Sequence, residues 1–265
     1  MASLKPVQSV LAFLTILPAG KQSHDIHYVA KNMHLFPVAG LVIGAIIGGM
    51  AFGISPFLHP LLVGLLVTGA LVIITGVHHT DALADFADGL MAKGGKEVKR
   101  KAMLDPAVGS AGVAALVMYF AGMIIVFQTG FPSGLSILAS IVTAEVIAKY
   151  VMVYLANRGL SAWEGFSSPF TAAMKDKRKI AAATGIVLAI VWLASNYAGM
   201  IALGVSLAIA TIMKYASGKS FGGISGDVLG ASNEITRLSS LIVLSSVPPL
   251  PLTTAVVSVG GVPFL

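Results

Sequence analysis

The sequence predicts an all-α integral membrane protein that crosses the bilayer about seven times and carries acidic loops on its cytoplasmic side. Hydrophobic residues make up 56% of the 265-residue chain and charged residues only 11%, whereas about 25% of residues are charged in ordinary soluble domains. Four long runs, 32–80, 106–144, 180–213 and 238–265, contain no Asp, Glu, Lys or Arg. Runs of this length can cross lipid, so they identify the membrane-embedded parts of the chain.

A membrane-spanning helix needs roughly 17–25 residues, so each of the first three runs can hold a hairpin of two helices. The fourth run carries Pro248, Pro249 and Pro251, which should break or kink its helix. We expect one membrane-embedded domain over 1–265, in which 1–34 form an interfacial or re-entrant segment. The predicted spans are about 35–56, 59–78, 110–128, 134–156, 179–195, 198–213 and 236–258.

The basic residues predict how the chain is oriented in the membrane. The turns inside the hairpins, among them 196–199, carry no Asp, Glu, Lys or Arg, whereas the loops on the other side hold basic clusters at 93–101, 158–179 and 214–219. By the positive-inside rule these loops and the N-terminus are cytoplasmic, as in a multi-pass protein of the cell membrane. The net charge of +6 then reflects orientation first, with attraction of a polyanionic substrate as an additional role. We do not expect a nucleic acid partner.

Two features inside the spans predict close packing. Glu145 and Lys149 lie one helical turn apart in the fourth span, and an internal salt bridge is the expected arrangement because unpaired charges are costly in lipid. The first span has glycines at the small-xxx-small spacing that lets membrane helices approach closely. These glycines are Gly40, Gly44, Gly48 and Gly49.

The most informative stretch follows the second span, where Asp81, Asp85 and Asp88 occupy positions i, i+4 and i+7. On a helix all three carboxylates project from one face. A solvated helix face is the plain alternative, but the other faces are apolar, so this is the only polar stripe beside a membrane span. Clustered carboxylates repel one another unless a cation lies among them, and oxygen ligands suit Mg²⁺. The stretch therefore predicts a metal site.

A second acidic stripe begins after a glycine-rich turn. Gly222 and Gly223 belong to this turn, whose backbone N–H groups are candidate phosphate donors at the start of a helix. Asp227 and Glu234 then follow at positions i and i+7, with Asn233 beside them. Four predicted spans separate Asp88 from Asp227, so both stripes should return to the same membrane surface and converge over one cavity.

Two further observations limit the chemistry. The chain has no cysteine, which excludes thiolate nucleophiles and Cys-ligated metals.

Asp105 precedes a proline, and the sequence leaves open whether it is a turn acid or a fourth member of the acidic group. We include it with Gly222, Gly223 and Asn233 as a candidate substrate-binding residue.

Residues 85–93, DFADGLMAK, resemble the opening of the CDP-alcohol phosphotransferase motif D-x-x-D-G-x-x-A-R, but the later glycine and aspartates of that motif do not follow. The chain is more similar to the cobalamin synthase family, also called adenosylcobinamide-GDP ribazoletransferase. The chain differs from that family at two positions. It has Ala107 where a basic residue is expected, and Arg237 where an acidic residue is expected. The similarity covers most of the chain and lies in LFPVAG at 35–40, HTDALADFADG at 79–89, MLDPAVGSAG at 103–112 and GGISGDVLGASNE at 222–234.

The second resemblance implies a phosphoryl transfer. A ribose hydroxyl of α-ribazole, or of its 5′-phosphate, attacks the cobinamide-side phosphorus of adenosylcobinamide-GDP and releases GMP. Mg²⁺ is the implied cofactor, and carboxylates that hold it fit such a reaction. One of the acids or His79 is the candidate base, unless His79 is simply a hydrogen-bond partner of the acids. The candidate catalytic residues are His79, Asp81, Asp85 and Asp88, and the candidate metal ligands are Asp81, Asp85, Asp88, Asp227 and Glu234.

The expected partners are these two substrates and the lipid bilayer, with a second copy of the chain left open. Two other functions compete with this interpretation. A CDP-alcohol phosphotransferase would share the metal chemistry. A cation-coupled transporter would place its acids at the bilayer midplane on broken helices, whereas here only Glu145 is deep in a predicted span.

Overall fold

The computed structural model describes residues 4–18 and 25–247, and within these ranges the chain is helical with no strand. The one extended contact there is an isolated parallel bridge between Ser161 and Ile224. The predicted all-α class is therefore confirmed. The α-helices are α1 (Lys5–Leu14), α2 (Ile26–Lys31), α3 (Phe36–Ile54), α4 (Pro60–Ile74), α5 (His78–Met91), α6 (Lys96–Met103), α7 (Ser110–Thr129), α8 (Gly134–Arg158), α9 (Ser168–Ala173), α10 (Lys177–Phe221) and α11 (Gly226–Ser246).

Several of these helices can cross a membrane by length and apolarity. Within the described residues, four helical stretches are long and apolar enough on their own. A fifth span is added if α4 and α5 are counted together as one bent span. This confirms a polytopic membrane protein, while the total of seven spans stays a prediction. Residues 248–258 of the last predicted span, with its three prolines, lie outside the described residues. The four helical stretches are Met33–Ile54, Ser110–Thr129, Gly134–Arg158 and Lys177–Phe221.

The second predicted span, about 59–78, ends earlier than expected. Helix α4 stops at Ile74, and Gly76 and Val77 both have positive φ, of 67° and 69°. After this turn α5 runs at 93° to α4. The chain therefore bends sharply just before the acidic stretch, so α5 does not continue the direction of α4.

Helix α10 contains a break within the turn predicted at 196–199. Asn196 has a left-handed φ of 48° and a ψ of −134°. A Cβ placed on Gly199 would lie 2.7 Å from Cγ1 of Val191, a contact that a straight helix cannot make across eight residues. Tyr150 of α8 forms a hydrogen bond with the first half of α10, and Tyr154 forms one with the second half. The two halves therefore run antiparallel, as predicted.

Helix α8 is the centre of the molecule and is buried on most of its faces from Ile141 to Ala156. Helix α3 packs against it through Gly40 and Gly44, where an added Cβ would lie 2.6 Å from the Glu145 carbonyl oxygen and 2.7 Å from the Val142 Cα. The glycine contact predicted from the spacing is confirmed at these positions. Gly49 is different, because nothing lies within 4 Å of its Cβ position.

The three polar loops predicted on one side meet at one end of the bundle. The rings of Phe86 in α5 and Phe221 at the end of α10 lie 6.0 Å apart. Beside them, the Ile224 N–H donates to the Leu160 carbonyl at 2.8 Å. The orientation of this end toward the cytoplasm stays a prediction.

The glycine contact between α3 and α8 gives a stability prediction. Gly44→Ala should lower the free energy of unfolding by about 1–3 kcal/mol, because the new methyl group meets backbone atoms that cannot move aside. The measurement is the thermal unfolding midpoint of the purified protein in detergent. Gly49→Ala is the matched control in the same helix, and it should be neutral or slightly stabilising. Equal effects of the two substitutions would contradict the packing of α3 on α8.

Candidate active site

The acidic stretch forms a helix, as its spacing predicts. Asp81, Asp85 and Asp88 all lie in α5, which begins directly after the Gly76–Val77 turn. Helix α5 crosses α11 where Ala82 faces Gly230, and a Cβ on Gly230 would lie 2.5 Å from the Ala82 Cβ. This glycine therefore permits the close approach that brings the start of α11 beside the acids of α5.

A cavity of about 660 Å³ opens at this crossing. Asp81 from α5 and Asp227 from α11 line the same wall, so the structure brings the two acidic stripes together. An aromatic wall also lines this cavity. Its rings come from α1, α3, α9 and the loop before α9, namely Phe13, Phe36, Trp163, Phe166 and Phe170.

The carboxylates near this cavity repel one another. Partial burial and the charges of Asp81, Asp227 and Asp88 raise the pKa of Asp85 to about 6. Burial also raises the pKa of Asp227, and the charge of Asp81 acts in the same direction. These mutual effects show that the carboxylates are close enough to interact, and uncompensated acids of this kind are typical of functional sites.

Asp88 is held differently from the other acids of α5. Its two carboxylate oxygens accept the N–H groups of Gly109 and Gly112 at 2.7 and 2.8 Å. Both donors lie at the N-terminus of α7, where unpaired N–H groups favour a negative charge. A Cβ on either glycine would collide with the carboxylate. Asp88 therefore fixes the start of α7 against α5.

Asp105 is a turn acid, because its Oδ1 accepts the N–H of Ala107 at 2.9 Å. It also lines, with Asp88, a smaller cavity of about 300 Å³. The structure does not place it on the wall of the larger cavity. The sequence left open whether Asp105 is a turn acid or a fourth member of the acidic group. The structure shows the turn contact, and it places Asp105 in one cavity lining with Asp88.

Asn233 and Glu234 do not line the larger cavity either. Both are fully buried. Each Glu234 oxygen is engaged, one by Arg237 and the other by the Asn233 amide. Asn233 in turn accepts a hydrogen bond from Lys149. The structure thus places these two candidates in a buried polar network that reaches the cavity through His79, and their predicted contacts with metal and substrate stay a prediction.

That network also contains the predicted salt bridge of α8. Lys149 Nζ lies 3.3 Å from Glu145 Oε2, which confirms the pair. Arg237 also pairs with Glu145 and Glu234, and it donates to the Tyr119 hydroxyl at 2.9 Å. Arg237, the residue found where the family resemblance led us to expect an acid, is thus the counter-ion of two buried acids.

Gly222 and Gly223 have packing roles. Gly222 ends α10 in a left-handed conformation with φ of 90°, and its N–H donates to the Gly218 carbonyl. A Cβ on Gly223 would lie 2.5 Å from the Leu160 carbonyl oxygen, so this glycine permits the crossing of two loops. Both glycines therefore shape the turn that leads into α11, and their role as phosphate donors stays a prediction.

His79 is buried, yet it lines the same cavity as Asp81. Burial, together with the charges of Lys149 and Arg237, holds its pKa well below the usual range. The imidazole is therefore neutral at physiological pH.

The spacing of residues in the sequence gave no indication of the aromatic wall. Phe13 and Phe166 stack with ring centroids 6.0 Å apart and an interplanar angle of 19°, and Phe170 contacts both. These residues come from segments more than 150 positions apart in the chain. No periodic pattern links them, so only the tertiary structure reveals the wall.

The donor set near the cavity fits Mg²⁺. Within the described ranges, no three His, Asp or Glu side chains are already grouped to hold a metal ion. Magnesium does not need such a cage, because it commonly uses one or two carboxylates and completes its shell with water and substrate phosphates. Asp81, Asp85 and Asp227 supply hard oxygen ligands, and their mutual repulsion favours a cation among them.

Comparison with known proteins adds independent information. Adenosylcobinamide-GDP ribazoletransferase of Methanocella arvoryzae is 32% identical over 258 residues, which cover 92% of this chain and 96% of the relative. The protein of the same name from Archaeoglobus fulgidus is 33% identical over 244 residues, covering 91% and 97%. No solved structure matches the chain.

The sequence also matches the family described as Cobalamin-5-phosphate synthase (CobS) over residues 6–245. This match includes all of the acids that line or border the cavity. The chain therefore belongs to the cobalamin-5-phosphate synthase family.

Proposed function

We propose that this protein transfers the phosphocobinamide group of adenosylcobinamide-GDP to α-ribazole or to its 5′-phosphate. A ribose hydroxyl forms the new bond to the cobinamide-side phosphorus, and the bond to the GMP oxygen breaks. GMP leaves, and adenosylcobalamin or its 5′-phosphate is the product. The names of the relatives support this reaction, because similarity at about one third identity extends over nine tenths of both chains.

The observation that carries the proposal is the convergence of Asp81 and Asp227 on one cavity wall. The two residues lie on different helices and far apart in the chain, yet they face the same space. Carboxylates that are not neutralised by cationic side chains are costly unless they serve binding or catalysis. A metal–diphosphate group is a ligand that such a wall can accept.

For the metal, we propose Mg²⁺ held by Asp81, Asp85 and Asp227, with Asp88 anchoring α7 beside them. Bound there, Mg²⁺ would neutralise the charge that develops on the phosphate and leaving oxygens. The proton of the attacking hydroxyl leaves to a carboxylate of this group.

For the acceptor, the aromatic wall supplies a binding surface. The base of a ribazole is a flat aromatic ring system, and such rings stack on aromatic side chains. Phe166 is 54% exposed although it stacks on Phe13, so one of its faces is available. A base against this wall would place the ribose in the cavity that Asp81 and Asp227 also line.

For the donor, one basic residue contacts a residue of the cavity lining. The guanidinium carbon of Arg100 in α6 lies 4.4 Å above the ring centroid of Trp163, which is a wall residue. Positive charge at the rim raises the local concentration of a polyanionic diphosphate substrate. We therefore propose that the cavity opens toward the cytoplasm, on the side where the basic loops gather, in a protein of the cell membrane.

The deciding experiment is an assay with purified full-length protein in detergent or nanodiscs. Adenosylcobinamide-GDP and α-ribazole are supplied with and without Mg²⁺, and the corrinoid product and GMP are quantified. Mg²⁺-dependent formation of both products in equal amounts is expected. A CDP-alcohol with a free alcohol acceptor is the control, and head-group transfer from that substrate instead would contradict the proposal.

Single acid substitutions test the cavity wall. Asp81→Asn and Asp227→Asn should each lower kcat on the order of 10²-fold or more, because a ligand that supports transition-state charge is lost while the side-chain shape is kept. Glu97→Gln is the matched control. It removes an exposed acid from α6 on the same side of the protein, and its kcat should stay near wild type. Activity of both aspartate variants within a few-fold of wild type would refute their role.

The raised pKa of Asp85 gives paired predictions about pH. As pH falls through about 6, Asp85 gains a proton and loses its charge. The Mg²⁺ concentration for half-maximal rate should therefore rise from pH 7.5 to pH 5.5, measured from initial rates across a Mg²⁺ series. In Asp85→Asn this concentration should be high already at pH 7.5, with very low turnover.

The raised pKa of Asp85 also predicts a gain in stability. Loss of the Asp85 charge, which weakens Mg²⁺ binding, should stabilise the metal-free fold. Because the pKa of Asp85 in the folded protein exceeds the usual aspartate value of 3.8, the charged carboxylate destabilises the metal-free fold above pH 6, and this destabilisation disappears as pH falls toward 4. After discounting for solvent screening, Asp85→Asn should raise metal-free stability by about 1 kcal/mol at pH 7.5. The readout is the thermal midpoint in EDTA. A lower midpoint for the variant would indicate that Asp85 is a structural residue.

The aromatic wall is tested at its most exposed ring. Phe166→Ala should raise KM for α-ribazole about tenfold, because stacking of a base on an aromatic side chain contributes roughly 1–3 kcal/mol. KM for adenosylcobinamide-GDP should change little, and Phe166→Tyr should restore acceptor binding. Steady-state kinetics with each substrate varied in turn provide the measurement. An equal rise in both KM values would argue against an acceptor site at this wall.

A further inference from the structure

The orientation of the Asn233 side chain is fixed by a buried lysine. Lys149 Nζ lies 2.6 Å from Asn233 Oδ1, and both residues are fully buried. An ammonium group has only donors, so the amide atom that it contacts must be the oxygen. The other end of the amide, Nδ2, is thereby identified as the NH₂ group and can only donate.

The two hydrogens of this NH₂ group have two acceptors. Nδ2 lies 2.9 Å from Glu234 Oε1 and 3.4 Å from His79 Nδ1. Because Nδ2 cannot accept, the His79 Nδ1 must offer a lone pair. A competing arrangement, with a proton on Nδ1 directed at Glu234, is not available, since Oε1 is 3.9 Å from Nδ1 and outside hydrogen-bonding range.

This hydrogen-bond chain determines the tautomer of His79. With the Nδ1 lone pair engaged, the single proton of the neutral ring lies on Nε2. Among the described residues Nε2 has no hydrogen-bond partner, and His79 lines the cavity that Asp81 and Asp227 also line. The free nitrogen of His79 is therefore a donor at the edge of the candidate active site.

We propose that His79 donates a hydrogen bond from Nε2 to a phosphate oxygen of the bound substrate, and that Lys149 and Asn233 are positioning residues that hold this tautomer. The identity of the recipient oxygen rests on the proposed function, whereas the tautomer does not. His79 is then not the base toward the ribose hydroxyl, because a base at Nε2 would need its proton on Nδ1.

The chemistry of the cavity explains why such a donor is useful. The acids of the wall offer only acceptor oxygens, which repel the oxygens of a diphosphate in the absence of metal. A neutral Nε2–H contacts a phosphate oxygen without adding a charge that would compete for the carboxylates. A donor that is held in place before the reaction stabilises developing negative charge without reorganisation, and loss of one such donor typically lowers kcat about 10²–10³-fold.

The tautomer is tested directly by NMR of the full-length protein labelled with ¹⁵N-histidine in nanodiscs, without metal or substrate. The chain has six histidines, and the His79 signals are those missing from His79→Gln. We expect a protonated Nε2 and an unprotonated Nδ1. A proton on Nδ1 would overturn the proposal, whatever the outcome of any activity assay.

The positioning role of Asn233 is tested in the same spectra. Asn233→Asp replaces the NH₂ donor by an acceptor oxygen and keeps an acceptor for Lys149. The His79 proton should then move to Nδ1. Retention of the proton on Nε2 in a folded Asn233→Asp protein would show that Asn233 does not set the tautomer.

The donor role is tested by three variants of His79. The amide nitrogen of Gln can reach the position of Nε2, whereas Asn is too short and Ala has no donor. His79→Gln should stay within about tenfold of wild-type kcat, and His79→Asn and His79→Ala should lose on the order of 10²–10³. A His79→Gln protein as impaired as His79→Ala would overturn the donor role in favour of a base. A wild-type protein without transferase activity would instead refute the proposed reaction, and the NMR result would still decide the tautomer.

Discussion

The structure depends on a buried, electrically neutral cluster of four charged side chains. Glu145 and Lys149 from α8 meet Glu234 and Arg237 from α11, and all four are at most 2% exposed. Two acids and two bases cancel, so the cluster is tolerated where a single charge would not be. Removal of one member would leave an uncompensated buried charge, which typically costs about 3–5 kcal/mol. The cluster therefore fixes how α11 lies against α8.

The position of α11 in turn determines the geometry of the cavity. With α11 held on α8, Gly230 packs against Ala82 of α5, and Asn233 forms a hydrogen bond with His79. Asp227 then lies at the first turn of α11, beside the acids of α5. Behind α8, the glycine face of α3 allows the close approach of the two helices. Packing deep in the bundle is thus linked to the placement of reactive groups at its end.

The protein uses acidic residues in two different ways. Glu145 and Glu234 are neutralised by Lys149 and Arg237, and they contribute to the fold. Asp85 and Asp227, by contrast, have pKa values that are raised by burial first and then by the charges of nearby carboxylates. The fold tolerates this repulsion at the cavity because the stabilising contacts lie elsewhere, as expected where a site trades stability for ligand binding.

Composition and charge spacing in the sequence determined the membrane class, the helical hairpins and the acidic face of α5, because each depends on local periodicity and on the cost of charge in lipid. The Glu145–Lys149 pair was also predictable, since its members are one turn apart. Only the tertiary structure decided which acids reach the cavity. Asp227 and Glu234 share one helix face in the sequence, yet one lines the cavity and the other is buried against Arg237. The aromatic wall and the chain from Lys149 to His79 were likewise undetectable, because their members come from distant segments that meet only when the helices pack.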